Sequence, residues 1–351
     1  MLKPSPTAST STIQSVFELP ADLLDLSTPS QLNVDAAISP SQAIDRVVLS
    51  FRGKLVRYTA FQDAIEAIRR CHEMGRYPLE EPSCLLITGV SGCGKSTLRK
   101  EYAKRCPRQE LDDRTKITVL HLELPSQPTI KNVAERILIA MGDPFAEKGS
   151  AEGKTARIIK LMRECYVELV MLDEFQHFVD NAGVKVESKV ADWLKHLINS
   201  TKVPFVLLGL PRCERILEVN EQLRRRFTPK IALYPFKLSD ANSRRQFGGL
   251  LQSLQKNLPF EARSVLVDKE VIPLIYYATF GLIDYVMKLI AEAIFIALSE
   301  GQLSIDEKVL ERAFRDAIWR DADGARNPFN SQFQPRVLNR IGEPFYGYLS
   351  V

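Results

Sequence analysis

Eight residues constrain this chain more than any others: Gly89-Val-Ser-Gly-Cys-Gly94-Lys95-Ser96. They fit the pattern GxxxxGK[ST] at every fixed position, and their flanks matter as much as the pattern. SCLLITGV (residues 83–90) reads as a buried strand, and KSTLRKEYAKRC (residues 95–106) as the helix after it. Glycines at this spacing let the backbone curl until successive N–H groups point at one anion. The helix that starts there adds the positive end of its dipole. The arrangement predicts a site for a nucleoside triphosphate on Gly89, Gly92 and Gly94, with Lys95 at the β- and γ-phosphates and the Ser96 hydroxyl on Mg2+.

A phosphate loop needs an acid to hold the metal, and LVMLDEF (residues 169–175) supplies a pair at the end of an apolar strand. At the carboxyl edge of a parallel sheet that pair lies beside the loop. Asp173 is expected to hold Mg2+ through water, and Glu174 to orient and deprotonate the attacking water. The bland alternative is an acidic pair that caps the next helix. A doubled acid favours ATP hydrolysis over simple binding. QLRRRF (residues 222–227) then places three arginines just before a short strand. Such a run is commonly a solvated face, yet an arginine there can reach a γ-phosphate held by a neighbouring copy. Arg226 is the first candidate and Arg225 the second, and either one implies a ring or filament.

The rest of the chain supports this frame. After the loop's helix come KITVLHLEL (116–124, strand), TIKNVAERILIAMG (129–142, an amphipathic helix closed by glycine) and KTARIIKLMREC (154–165, helix). VELVMLDEF (167–175) is a strand, SKVADWLKHLIN (188–199) a helix, VPFVLLGLP (203–211) a strand, RCERILEVNEQLRRRF (212–227) a helix and KIALYPF (230–236) a fifth strand. Upstream, TAFQDAIEAIRRCHEMG (59–75) is helical with Thr59 as its expected N-cap. Strands that are apolar throughout and alternate with helices imply a parallel sheet covered on both faces: an α/β fold. After residue 236 only helical patterns remain. The expected division is a flexible arm at 1–40, an α/β ATPase domain at 41–236, an all-α lid at 237–321 and a tail at 322–351 rich in Asn, Pro, Gly and aromatics. Within the arm, VFELPADLLDL (16–26) is a candidate docking segment, with an irrelevant tail as the alternative.

Composition excludes rather than identifies. At 351 residues the chain has room for about two domains, with 45% apolar and 26% charged residues. A net charge of +4 permits a nucleic-acid partner without arguing for one. Six cysteines without a CxxC pair suit free thiols in a reducing compartment. No secretory leader and no membrane-spanning run is expected.

The loop GVSGCGKS, the strand LVMLDE, then LRRRF and a helical lid together resemble the AAA+ P-loop NTPases over residues 41–320. LLITGVSGCGKST, VMLDEFQHF, WLKHLINSTKVPFVLLGLP and QLRRRFTPKIALYPF are similar, more narrowly, to the transposition ATPases TniB and TnsC, which regulate target choice for DDE transposases. The resemblance implies a bacterial, cytoplasmic, DNA-associated ATPase that oligomerises with ATP on double-stranded DNA and links a target-selector protein to a transposase. It puts the nucleotide on Gly89, Gly92, Gly94, Lys95, Ser96 and Thr97, with Cys93 inside the loop. Val56, Arg57 and Tyr58 take the adenine-side position, although Tyr58 suits ordinary packing equally well. It implies backbone contacts to DNA from Lys131 and Ser150, with Thr129 and Lys154 nearby.

Two departures accompany it. No side chain of Gly209-Leu210-Pro211, where a polar sensor belongs, can contact phosphate; Asn199 and Arg212 flank the position, and neither is assigned. In GLIDYVMK (281–288) Asp284 and Tyr285 stand where a lid arginine would fall, which suits a slow, timer-like ATPase. The same core would serve a clamp-loader or helicase-loader ATPase, told apart by its partner. A STAND-type nucleotide switch would need repeat or effector domains for which there is no room. A small-molecule kinase would leave the arginine run unexplained.

Overall fold

A computed structural model describes residues 39–77, 81–180 and 184–348; the arm's segment at 16–26 lies outside them. Five strands, β1 (Leu85–Gly89), β4 (Val119–Glu123), β5 (Leu169–Asp173), β6 (Phe205–Gly209) and β7 (Lys230–Leu233), form one sheet in the order β4-β5-β6-β1-β7. Every pairing in it is parallel. β1, β5 and β6 are buried at all five positions, which is why they lack the alternation of a half-exposed strand. The register aligns Thr88 with Gly209 and Glu123 with Asp173. The ends of β1, β6 and β5 therefore open on one edge of the sheet, with β6 between the other two.

The helices follow from their apolar faces. In α4 (Ile130–Met141) the buried residues are Val133, Ala134, Ile137, Leu138 and Met141, one stripe of a 3.6-residue repeat. Thr129 caps it, its hydroxyl accepting from the Asn132 N–H at 3.2 Å, and Gly142 ends it in the left-handed conformation. Each fully buried Leu or Ile of that stripe contributes about 1.5–3 kcal/mol. α3 (Lys95–Lys104) follows the glycine loop, and α5 (Ala151–Glu164) is capped by Ser150. α2 (Thr59–Gly75) starts one residue earlier than expected: Tyr58 is its N-cap and makes no side-chain cap bond. The expected long helix after β6 is broken into a 3-10 turn (Pro211–Glu214), α8 (Arg215–Glu218) and α9 (Glu221–Arg226). Asn220 causes the last break by accepting the Leu223 N–H at 3.0 Å. α6 (His177–Asp180) and α7 (Val184–Thr201) lie between β5 and β6 in sequence, and a two-strand ribbon of β2 (Gln109–Glu110) and β3 (Thr115–Lys116) precedes β4.

The chain divides into two compact units. The α/β unit holds Arg57–Phe247, Phe280–Asp284 and Asn339–Val351. In its last stretch Phe345 is buried and stacked on Phe280, ring centroids 5.6 Å apart. The helical unit holds the described part of Met1–Val56, Gly248–Thr279 and Tyr285–Leu338. It contains α1 (Pro40–Gly53), the latter part of α10 (Ala241–Gln255), α11 (Val271–Thr279), most of α12 (Ile283–Ser299) and α13 (Glu307–Ala317). Val286, Leu289, Ile290, Leu310 and Phe314 are fully buried there. The aperiodic stretch after α13 is held by hydrogen bonds: the Asn327 amide donates to the Glu311 carbonyl (2.8 Å) and the Asn330 amide to the Glu311 carboxylate (2.7 Å). No helix among the described residues is long and apolar enough to cross a membrane.

Candidate nucleotide site

β1 delivers the chain into the glycine loop at the carboxyl edge. Gly92 (φ 80°) and Gly94 (φ 89°) both take the left-handed conformation that side chains resist. Gly94 is the N-cap of α3 and brings no side chain to its first-turn N–H groups, which suits an anion there. Lys95 is buried, its ammonium donating to the Gly89 and Val90 carbonyls at 2.8 and 3.1 Å. Burial pulls its pKa below the ordinary lysine range, and Glu174, Cys93 and Asp173 oppose the shift. A buried ammonium that both acids reach electrostatically fits a polyphosphate held between them. Ser96 and Thr97 open α3 beside it.

Tyr58 touches the same loop. Its hydroxyl donates to the Cys93 carbonyl at 3.3 Å, and its ring meets Phe236 edge-on at 5.1 Å. Packing and loop contact thus coincide in Tyr58. Arg57 is exposed, whereas Val56 is a buried residue of the helical unit. The Cys93 thiol is buried and pushed up to about 11.

The acid pair ends β5. Asp173 is fully buried: one carboxylate oxygen accepts from Arg99 Nε at 3.1 Å, the other from the Glu174 N–H at 2.9 Å. Arg99 Nη1 also meets His121 Nδ1 at 2.9 Å, and Nη2 lies 3.6 Å from Glu123. The sequence reading missed Arg99. The available signal was its place four residues after Lys95, hence on the same helix face. A carboxylate and a hydroxyl are the hard oxygen donors Mg2+ prefers, so Asp173 and Ser96 fit that ion. Arg99 would keep Glu123 and His121 as partners. Glu174 has φ 58°, uncommon outside glycine. Its carboxylate accepts from the Gln176 amide and lies 3.8 Å from His177. The Gln176 oxygen accepts the Leu210 N–H at 3.0 Å. Gln176 thus joins Glu174 to the backbone after β6, a link that no local sequence signal announces.

The other candidates separate. Arg212 is committed to Asp180, with Nη2 to Oδ2 at 2.9 Å, and Asn199 is exposed on α7. The Asp284 N–H donates to the Gly92 carbonyl at 3.1 Å, so an acid and not an arginine adjoins the glycine loop. Arg225 has 77% of its side chain exposed and pairs with Glu221 at 2.6 Å. Arg226 has 11% exposed, lies 3.6 Å from Glu81, and its Nη1 is buried without a hydrogen-bond partner. Of the two arginine candidates, Arg225 is thus the more accessible. Lys131 is exposed, and Thr129 and Ser150 use their hydroxyls as helix caps. Lys154 is fully buried, its ammonium bonded to Glu135 at 2.7 Å and to the Ala146 carbonyl, and so it has no free charge for a DNA phosphate.

A parallel sheet with a glycine loop after β1, an acid pair after β5 and a helical C-terminal region defines the AAA+ P-loop NTPase fold. The family model described as "Bacterial TniB protein" matches residues 47–238, more than half of the chain, and the chain belongs to that family. Solved structures similar in fold include the Aeropyrum pernix ORC2 protein in ADPNP-ADP complexes (17% identity, 74% of this chain and 68% of that one, TM-score 0.53). Cdc6p from Pyrobaculum aerophilum is another (14%, 78% and 71%, TM-score 0.56). A third is the Aeropyrum pernix ORC1 protein in complex with DNA (18%, 78% and 69%, TM-score 0.51). No curated protein sequence matches the chain.

Proposed function

We propose that this TniB-family chain is an ATP-hydrolysing, DNA-binding AAA+ regulator of transposition that assembles on duplex DNA and links a target selector to a DDE transposase. The observation that carries the reading is the buried Lys95 ammonium folded onto the Gly89 and Val90 carbonyls of the glycine loop, at the sheet edge where Asp173 ends β5 and Glu174 follows it. One site thus combines a grip on the triphosphate with a metal-holding acid and a water-activating one. The loop N–H groups and Lys95 bind the β- and γ-phosphates of ATP, and Tyr58 closes the loop's outer side. Mg2+ held by Ser96 and Asp173 would neutralise phosphate charge. Glu174 orients water and takes its proton. The exposed Arg225 completes the site of a neighbouring copy, so that nucleotide state decides whether copies stack. Lys131, Thr129 and Ser150 face the DNA backbone, positioning without reading sequence. The ORC2 nucleotide complexes and the ORC1–DNA complex are consistent with this reading at the level of fold.

Glu174→Gln keeps the shape and removes the base. The expected result is a loss of about 100-fold or more in hydrolysis, with long-lived assemblies on duplex DNA in ATP, read by sedimentation. DNA binding by this variant that is no better with ATP than without it contradicts the proposal.

A further inference from the structure

Leu210 follows β6 in the stretch Gly209-Leu210-Pro211, which offers no polar side chain. Its backbone N–H is engaged instead. Gln176, three residues past Asp173, accepts that N–H at 3.0 Å and donates its amide to the Glu174 carboxylate. We propose that Gln176 is the positioning residue for Glu174, tying the water-activating carboxylate to the backbone that follows β6. The proposal rests on the hydrolytic reading above.

The polarity of this bridge is fixed at both ends. An N–H can only donate, so the amide oxygen faces Leu210; an ionised carboxylate can only accept, so the amide nitrogen faces Glu174. Gln176 is 2% exposed, so its amide is held by protein partners rather than by bulk water. The sheet makes room for it. A Cβ on Gly209 would stand 2.8 Å from the Gln176 amide oxygen and 3.2 Å from its backbone N, so the end of β6 is bare where the bridge crosses. Glu174 needs such a brace, because its own backbone is in the left-handed region. The Phe175 N–H, bonded to the Leu208 carbonyl at 2.9 Å, ties the segment to β6 on one side. Gln176 ties the carboxylate on the other. Any ligand that shifts the backbone at Leu210 then shifts Glu174 with it. A misplacement on the order of 1 Å in a catalytic group costs about 100-fold, so a tether to β6 is worth having even when it touches no substrate.

The test uses the full chain with duplex DNA, single-turnover ATP hydrolysis, equilibrium binding of a fluorescent ATP analogue, and thermal unfolding. Gln176→Glu keeps the acceptor for Leu210 but turns a like charge on Glu174. Leu210→Pro removes the N–H together with the leucine side chain, at a backbone φ of −72° that proline adopts. Both variants are expected to lower the single-turnover rate about 10- to 100-fold while nucleotide affinity stays close to wild type; Gln176→Glu, which buries a second carboxylate, also lowers the unfolding midpoint. Adding Gln176→Glu to Glu174→Gln should give no further loss. Wild-type rates in both single variants overturn the inference, as does a loss confined to nucleotide affinity. If Gln176→Glu does not fold, Leu210→Pro decides alone. Glu174→Gln separates the two levels. A wild-type rate there sinks the hydrolytic reading and this inference with it, whereas an inactive Glu174→Gln beside fully active Gln176→Glu and Leu210→Pro sinks the inference only.

Discussion

At the scale of single residues, exposure decides between neighbours that look alike in sequence. Arg225 and Arg226 are adjacent, yet one has 77% of its side chain in solvent and the other 11%. Arg225 is the more accessible of the two to another copy. Arg225→Ala is expected to reduce DNA-stimulated ATP hydrolysis by about 1000-fold, the scale of an arginine supplied in trans, with nucleotide affinity retained. Arg226→Ala should cost about 1 kcal/mol of stability and leave hydrolysis within about threefold of wild type. Steady-state kinetics and thermal unfolding of the pair check both. His72 makes a pH-dependent contribution. Its ring is buried between the Tyr102 hydroxyl (2.9 Å) and Glu168 (3.1 Å), and burial lowers its pKa from 6.5 despite that carboxylate. With the folded value below the unfolded one, the unfolded chain binds the proton first as pH drops. The ring's contribution is therefore present above about 6.5 and is lost below it. The unfolding-temperature gap between wild type and His72→Gln should narrow from pH 7.5 to 5.5; a constant gap contradicts this.

At the scale of elements, what was legible in the sequence follows from how local each cause is. β1, β5 and β6 are legible because burial on both faces demands an unbroken apolar run. The glycine loop is legible because a single turn makes the whole anion cradle. α4 is legible from its stripe and from its two caps, Thr129 and Gly142. The pairing of Arg99 with Asp173 and that of Gln176 with Leu210 are not legible, because the partners lie 74 and 34 residues apart. Only the sheet order, with β6 between β5 and β1, brings them together. Asn220 hides for a different reason: its cap bond competes with a helix that the apolar pattern alone would continue. The same distinction separates two lysines read alike from sequence. Lys131 is exposed at the start of α4, while Lys154 is enclosed within α5 and bonded to Glu135. Lys131→Glu is expected to weaken duplex binding and flatten its dependence on log salt by about one phosphate's worth. Lys154→Met should leave DNA affinity unchanged and cost about 1–3 kcal/mol, reduced from a fully buried pair because Glu135 is 32% exposed. Salt-titrated binding and chemical denaturation distinguish them.

At the scale of the whole molecule, the α/β unit carries the glycine loop, the acid pair, Gln176 and the arginine run, and it overlaps the stretch by which the chain belongs to the TniB family. On the proposed reading those features form one hydrolytic site that still needs a basic group at the γ-phosphate; Asp284, not an arginine, adjoins the glycine loop. A second copy offering Arg225 would supply that group and would make assembly depend on ATP. The most direct measurement is electron microscopy of the full chain with duplex DNA, in parallel with a non-hydrolysable ATP analogue and with ADP. The account predicts rings or helices around the duplex with the analogue, few or none with ADP, and their loss in Arg225→Ala. Dispersed single copies in both nucleotide states, or assemblies equally abundant in both, would contradict it.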